Sequence, residues 1–439
     1  MLYRILFIII FFHSLLCGQS IFNRFAGTNP FKGSARSTAM GNTHLLNSTG
    51  SANVRFNPAN LTSMEMNWGF DIQADRSSVF ERWSMPTKNK FGDFLTNADY
   101  VANEFNYHSI SSGLFASINL PIIGKVGAGF HYAPLTHFIY HYSEEVRARM
   151  NGIYEDEWRD DEIPIKDPYI GSHNLDIEGS PMVTSLGCGI QLDMLRDIDF
   201  YIGGAINLIQ STQITNRVEV DTINTDDVTN LSTLHDVNAT SELPSVNFMT
   251  FSTTMNLNSN IFLGASWEEK AKATTTPYSL SINSMSGLFQ YFDDSSYVVN
   301  GLNYMKPEIS SLALSYISHT EQTMSINFEI NQVSYNNHLN LQNYRIYKFG
   351  FEYLTQMRTP IRGGLVYKTA SIHALKPVSM FTFGTGKTIG NLVIDAAGTY
   401  SFQSFYYPDL FPVEDDVRLD YDLVRDSQFH LQLALTYRF

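Results

Sequence analysis

The sequence predicts an all-β protein, an antiparallel transmembrane barrel of about 14 strands with an N-terminal plug in its lumen. Three observations predict it. The chain ends on a strand that alternates apolar and polar residues and stops on an aromatic. Short and long connections alternate along its length. An apolar leader opens it, and no later apolar run is long enough to span a bilayer as a helix.

The last strand carries Phe429, Leu431, Leu433, Leu435, Tyr437 and Phe439 on one face and His430, Gln432, Ala434, Thr436 and Arg438 on the other. Period-two alternation marks a strand between an apolar and a polar medium. A soluble sandwich would set the apolar face on a core. An outer-membrane barrel would set it in lipid, with the polar face on the lumen. Tyr437 and Phe439 resemble the terminal aromatic signal by which barrel-assembly machinery recognises its clients.

Residues 1–18 read as a secretory signal peptide. Arg4 precedes an apolar run broken only by His13 and Ser14, and Gly18 and Ser20 supply small residues for cleavage before or near Gln19. Cys17 raises a lipid anchor, but Leu16 stands where such a site takes a small side chain. Removal of the leader leaves Cys188 alone, which excludes an intramolecular disulfide and a cysteine-based zinc site. With the leader gone, only a closed barrel could satisfy a backbone in lipid. The expected location is the outer membrane of a Gram-negative-type bacterium, with outer-membrane lipid as surroundings.

Tyr (24) and Phe (31) are abundant, yet the alternation keeps mean hydropathy near neutral. The net charge of −14 argues against nucleic acid, which needs clustered Lys and Arg. Acid concentrates in Glu155-Asp156-Glu157, Asp160-Asp161-Glu162 and Glu414-Asp415-Asp416, read as solvated loops; divalent cations bridging to lipopolysaccharide are the sharper alternative.

From residue 66 the chain divides into alternating segments. The first carry Trp68, Phe70 and Ile72, then Leu114, Ala116, Ile118 and Leu120, then Val126, Ala128, Phe130 and Tyr132. Others follow near 174–193, 198–219, 245–257, 261–283, 308–318, 323–335, 344–355, 361–372, 377–385, 391–403 and 428–439. Short links such as 258–260 and 386–390 alternate with a mostly longer set at 81–105, 147–173, 220–244, 284–307 and 404–427, of which two members, near 336–343 and 373–376, are short. Barrels have short periplasmic turns and long outer loops. An even strand count places both ends of the barrel on the short-turn side, so the final strand is expected to pair with the one starting near Met66. Residues 66–439 form the barrel on this reading.

Residues 19–65 are not strand-like. Gly27, Gly33, Gly41 and Gly50 punctuate a stretch of small residues, which suits a plug in a wide lumen; a loose periplasmic tail is the alternative. Two stretches here, Gly33-Ser34-Ala35-Arg36-Ser37-Thr38-Ala39-Met40-Gly41-Asn42 and Phe56-Asn57-Pro58-Ala59-Asn60-Leu61, resemble the N-terminal hatch of the FadL/TodX outer-membrane superfamily, which includes PorV-like barrels. Asn42 and Asn60 depart from its pattern, which favours glycine or alanine there, and Ser48-Thr49 replaces an acidic pair.

The resemblance implies a hatch carried by Gly33, Arg36, Gly41, Asn57, Pro58 and Ala59, and passive uptake of hydrophobic small molecules of long-chain fatty acid type. It implies capture by outer loops and exit through a gap in the wall. Phe289, Tyr291, Phe292, Phe402, Phe405, Tyr406, Tyr407 and Phe411 are candidates for an apolar entry patch or for membrane-girdle aromatics. Gly203-Gly204 and Gly363-Gly364 are candidates for wall bends or for packing against the hatch. The alternative the resemblance brings is a type IX secretion shuttle binding secreted cargo proteins. No cofactor, metal or enzymatic activity is expected. His137 and His141 are placed on one face of one strand but lack a visible third ligand.

Overall fold

The computed structural model describes residues 27, 33–62, 68–89, 91–120, 124–147, 169–195, 198–222, 237–274, 278–280, 297–299, 303–318, 323–335, 341–372, 375–411 and 421–439. The leader, the three acidic runs, Phe289, Tyr291 and Phe292 lie outside them.

In chain order the strands are β1 (Trp68–Lys88), β2 (Phe94–Leu120), β3 (Gly124–Pro134), β4 (Tyr140–Arg147), β5 (Tyr169–Glu178), β6 (Met182–Leu195), β7 (Ile198–Ile209) and β8 (Thr212–Thr222). Next come β9 (Val237–Leu243), β10 (Val246–Asn256), β11 (Ile261–Glu268), β12 (Ala271–Thr274), β13 (Tyr278–Leu280), β14 (Tyr297–Val299) and β15 (Asn303–Lys306). The last are β16 (Glu308–Ser318), β17 (Met324–Ser334), β18 (Tyr344–Leu354), β19 (Pro360–Lys368), β20 (Val378–Ile389), β21 (Leu392–Tyr407) and β22 (Asp422–Arg438).

Fourteen of them close an antiparallel barrel in the order β1-β2-β3-β6-β7-β10-β11-β16-β17-β18-β19-β20-β21-β22. β22 pairs with β1 from Gly69↔Arg438 to Ser84↔Leu423, so the final strand closes the wall. Every wall strand turns a large apolar side chain outward: Phe70, Leu114, Phe130, Leu186, Ile206, Phe251, Trp267, Leu312, Phe328, Phe351, Leu365, Phe381, Phe402 and Leu433 are exposed in turn around the barrel. A belt that encircles the whole wall is what lipid demands and water would penalise. The fold is that of an outer-membrane β-barrel.

Several segments end earlier than the alternation implies. The 174–193 segment is two strands, β5 and β6, split at Gly179-Ser180-Pro181; 198–219 splits into β7 and β8; 261–283 splits after Glu268. Pro134, Pro181, Pro244 and Pro307 all stand where chain enters or leaves the wall. Proline cannot donate to a ladder, so it suits these exits. Past them β4, β5, β8 and β9 form a separate four-stranded sheet. That sheet packs Tyr140, Tyr142, Leu175 and Val218 with Trp83 and Phe411 in the main buried apolar cluster, forming a lid at the long-loop end. β1 and β2 run well beyond a bilayer's need, at 21 and 27 residues, because their upper ends support it. The 81–105 loop is therefore mostly strand.

His137 and His141 also differ from expectation. His137 lies between β3 and β4 beside Ser180 Oγ, 2.6 Å, while His141 sits on β4 against Asp176, 2.6 Å. Among the described residues no cluster of metal-ligating side chains occurs. Of the proposed entry aromatics, Phe405 and Phe411 are buried under the lid, and Phe402 and Tyr406 face outward.

Candidate functional site

Residues 33–62 fill the lumen. They form α1 (Ala35–Ala39), α2 (His44–Asn47) and α3 (Asn53–Phe56), with single 3-10 turns at Gly50–Ala52 and Pro58–Leu61. Helices of four or five residues cannot persist on their own hydrogen bonds. Wall contacts must therefore hold them, and the small side chains permit it: Ala35, Ala39, Val54 and Ala59 are fully buried.

The six motif residues fall on these contacts. The Gly33 carbonyl accepts from Gln73 Nε2 of β1 at 3.2 Å and from Gln432 Nε2 of β22 at 3.0 Å. Ser34 caps α1 by accepting from the Ser37 amide. Arg36 makes a bidentate pair with Glu352 of β18, 2.7 and 3.1 Å. Glu352 also accepts from Arg362 of β19, which reaches on to Asp395 of β21. The Glu352 carboxylate raises the pKa of Arg36 above its ordinary value.

Gly41 has φ +66°, and a Cβ there would lie 2.1 Å from the Phe349 carbonyl oxygen. Its amide donates to Thr382 Oγ1, 2.8 Å. Asn42 follows at φ +55°, a left-handed backbone that asparagine tolerates better than other non-glycine residues. That accounts for one departure from the hatch pattern.

Asn57 Nδ2 donates to the Leu45 carbonyl, 2.6 Å, and to Thr254 Oγ1 of β10, 2.9 Å. Asn60, the other departure, donates to the same carbonyl at 3.0 Å and accepts from Thr254 Oγ1. The Ala59 amide donates to Ser252 Oγ. Pro58 and Ala59 press on wall glycines: a Cβ on Gly203 would lie 2.2 Å from Ala59 N, and one on Gly189 2.4 Å from Pro58 O. A Cβ on Gly364 would likewise lie 2.3 Å from Gly41 N. Gly203 and Gly364 thus admit the segment, and the ladders through them keep their register. Asn57→Ala is expected to weaken this docking by roughly 1–3 kcal/mol. Amide exchange over 45–60 should rise while exchange in β10 stays slow.

Sequence reasoning missed the Ser51 clamp. The Ser51 hydroxyl donates to Asp71 at 2.6 Å and lies 2.8 Å from His131 Nδ1. A second serine–histidine–carboxylate set joins Ser77, His430 and Asp75. Neither set lines the cavity, so both serve as fastenings.

Between this segment, the wall and the lid lies a cavity of about 440 Å³, within the usual range for small-molecule sites. Leu45, Arg55 and Phe56 line its floor; Ile309, Val333 and Val366 belong to its wall; Leu135 and Tyr304 approach from the lid side. Burial, with Lys348 and Arg55 nearby, holds His44 well below its ordinary pKa, so it adds no charge. Among the described residues the wall ladder is continuous around the barrel, and no lateral gap is present.

Together these define the class: an outer-membrane β-barrel with folded chain in its lumen and a cavity above it. No family model matches the chain, and no curated relative is similar in sequence. Solved structures of the same fold are channels and transporters. A Pseudomonas aeruginosa FadL homologue superposes with a TM-score of 0.59 at 11% identity, over 94% of this chain and 100% of its own. The P. putida toluene transporter TodX gives 0.54 at 13%, covering 93% and 99%. CymD, a monoaromatic hydrocarbon channel, gives 0.53 at 12%, covering 94% and 98%.

Proposed function

We propose that the chain is an outer-membrane channel for passive uptake of hydrophobic small molecules, with residues 19–65 as its hatch. The observation that carries this reading is the cavity seated on the hatch, whose lining includes Leu45, Phe56, Val333, Ile346 and Val366. An apolar solute leaves water on entering it, and the hatch closes the way below. Hydrogen bonds at Gly33, Gly41, Asn57 and Ala59 and the Arg36–Glu352 pair fasten the hatch to the wall. The names of TodX and CymD agree with a hydrophobic cargo. The cargo-shuttle alternative has no observation of its own among the described residues.

Uptake of an apolar solute by cells bearing the wild type, Asn57→Ala and a deletion of 21–60 tests the reading. Selective uptake is expected in the wild type, a shifted rate in Asn57→Ala, and loss of selectivity in the deletion. Identical selective uptake in all three would sink the hatch as a gate.

Tyr437 and Phe439 serve in this reading as the assembly signal. Both face outward, and Phe439 stacks on Trp68 at 3.5 Å between ring centroids. Phe439→Ala should lower the amount of folded barrel in the membrane several-fold, measured as the heat-modifiable band on a gel. An unchanged yield would remove the role.

A further inference from the structure

Two arginines meet on the outside of the wall at its closing seam. Arg82 of β1 and Arg425 of β22 are partners in the ladder that closes the barrel. Arg82 shares the outward face of β1 with Phe80, two residues before it. The side chains of Arg82 and Arg425 are 51% and 39% exposed. Like charges directly opposite each other on a sheet destabilise the pairing. Asp99 of β2 offsets part of that cost. It accepts from Arg82 Nη1 at 3.1 Å. Arg425 Nη1 stands 3.9 Å from its other oxygen, beyond hydrogen-bond reach, and that oxygen already accepts from Ser84 Oγ at 2.6 Å. Arg82, Arg425 and Asp99 together keep one positive charge on a chain whose net charge is −14. Arg76 and Glu104, on the same face nearer the apolar belt, cancel in charge.

The height of the pair names its surroundings. About 12 residues of β22 separate Arg425 from the exposed Tyr437 near the short-turn end. At a rise of about 3.3 Å per residue and a tilt of about 40°, that is roughly 30 Å along the membrane normal. The apolar band of a barrel is about 25 Å tall, so the two guanidinium groups stand just above its outer edge. Ser404 of β21 lies opposite Arg425, and the exposed Phe402 and Tyr406 stand two residues to either side of it. Aromatic side chains collect at the head-group level. The long-loop end of the barrel faces outward, so this level belongs to the outer leaflet. Guanidinium groups take a phosphate through paired N–H···O bonds, and a phosphate at this level belongs to lipid.

We propose that Arg82 and Arg425 hold a phosphate of an outer-leaflet glycolipid of the lipid A type, whose acyl chains run down the wall over Phe80 and Phe402. The site lies on the seam between the first and last strands, so the bound lipid clasps the closure from outside. It depends on the barrel's place in the membrane and not on what the lumen carries.

Native mass spectrometry of the full-length mature protein in an uncharged detergent, titrated with lipid A at near-physiological ionic strength, tests it. Wild type is expected to bind bisphosphorylated lipid A at least about tenfold more tightly than the dephosphorylated molecule with the same acyl chains. Arg82→Gln combined with Arg425→Gln should bring the two forms level, and either change alone should lose part of the preference. Arg217→Gln, an exposed arginine of β8 in the lid, is the control and should leave the preference intact. Folding of each variant is checked by heat-modifiable migration. Equal binding of the two lipids by wild type overturns the proposal, and needs no variant. A preference that survives the double substitution, or that Arg217→Gln removes as fully, also overturns it. Inorganic phosphate in millimolar excess should not displace lipid A; displacement would assign the site to a free anion and overturn the lipid assignment. Phosphatidylglycerol at equal concentration should not displace it either; displacement would assign a phospholipid and overturn the glycolipid assignment.

Discussion

Replacing Gly41 with alanine is expected to leave the barrel standing and the hatch unseated. The new Cβ would fall 2.1 Å from the Phe349 carbonyl oxygen of β18, and φ is +66°. Left-handed backbone costs a non-glycine residue about 1–2 kcal/mol. Overlap with wall backbone cannot be relieved by a side-chain rotation and adds roughly 1–3 kcal/mol. The two costs together shift docking by about thirtyfold or more. Limited proteolysis should cut within 33–62, with heat-modifiable migration unchanged. Gly390→Ala is the control: its φ is +58° but open space surrounds it, so only the backbone cost applies and the hatch stays protected. A protease-resistant hatch in Gly41→Ala would refute the packing argument.

Glu352→Ala should be the most damaging single change to the lumen ion network. Its carboxylate serves Arg36 of the hatch and Arg362 of the wall at once. Without it two guanidinium groups share Asp395. Breaking a buried pair costs roughly 3–5 kcal/mol, and solvent around Arg36, whose side chain is 29% exposed, brings the cost to the lower end. A double-mutant cycle of Arg36→Ala with Glu352→Ala, read from unfolding midpoints, isolates the hatch's share. A coupling above about 1 kcal/mol is expected for residues in one network; additivity would mean that Arg36 is held by other contacts.

The wall was legible because lipid enforces a strict period of two. Phe429 to Phe439, with the belt from Phe70 to Phe402, shows that alternation on every stave, and the closing pair of β1 and β22 followed from parity. The lid was not legible. β4, β5, β8 and β9 alternate as the wall does, since a half-buried sheet imposes the same period on any apolar surroundings. Only Pro134, Pro181, Pro244 and Pro307 marked the level where wall becomes lid. In the hatch, the motif marked Gly41 and singled out Asn42 as a departure, while their left-handed backbone emerged only from the fold. Arg55 and Ser51 carried no such mark. The Ser51 clamp needs Asp71 and His131, which reach it from β1 and β3, and the surroundings of Arg55 come from strands across the lumen; no local pattern records such meetings.

The Gly33 carbonyl, held by one glutamine from the first stave and one from the last, ties the hatch to the order of assembly. A sheet still open between β1 and β22 offers that oxygen one donor; a finished cylinder offers two. Seating of the N-terminal segment is therefore a readout of circumference. A wall closed in another register would present the two amides at another separation.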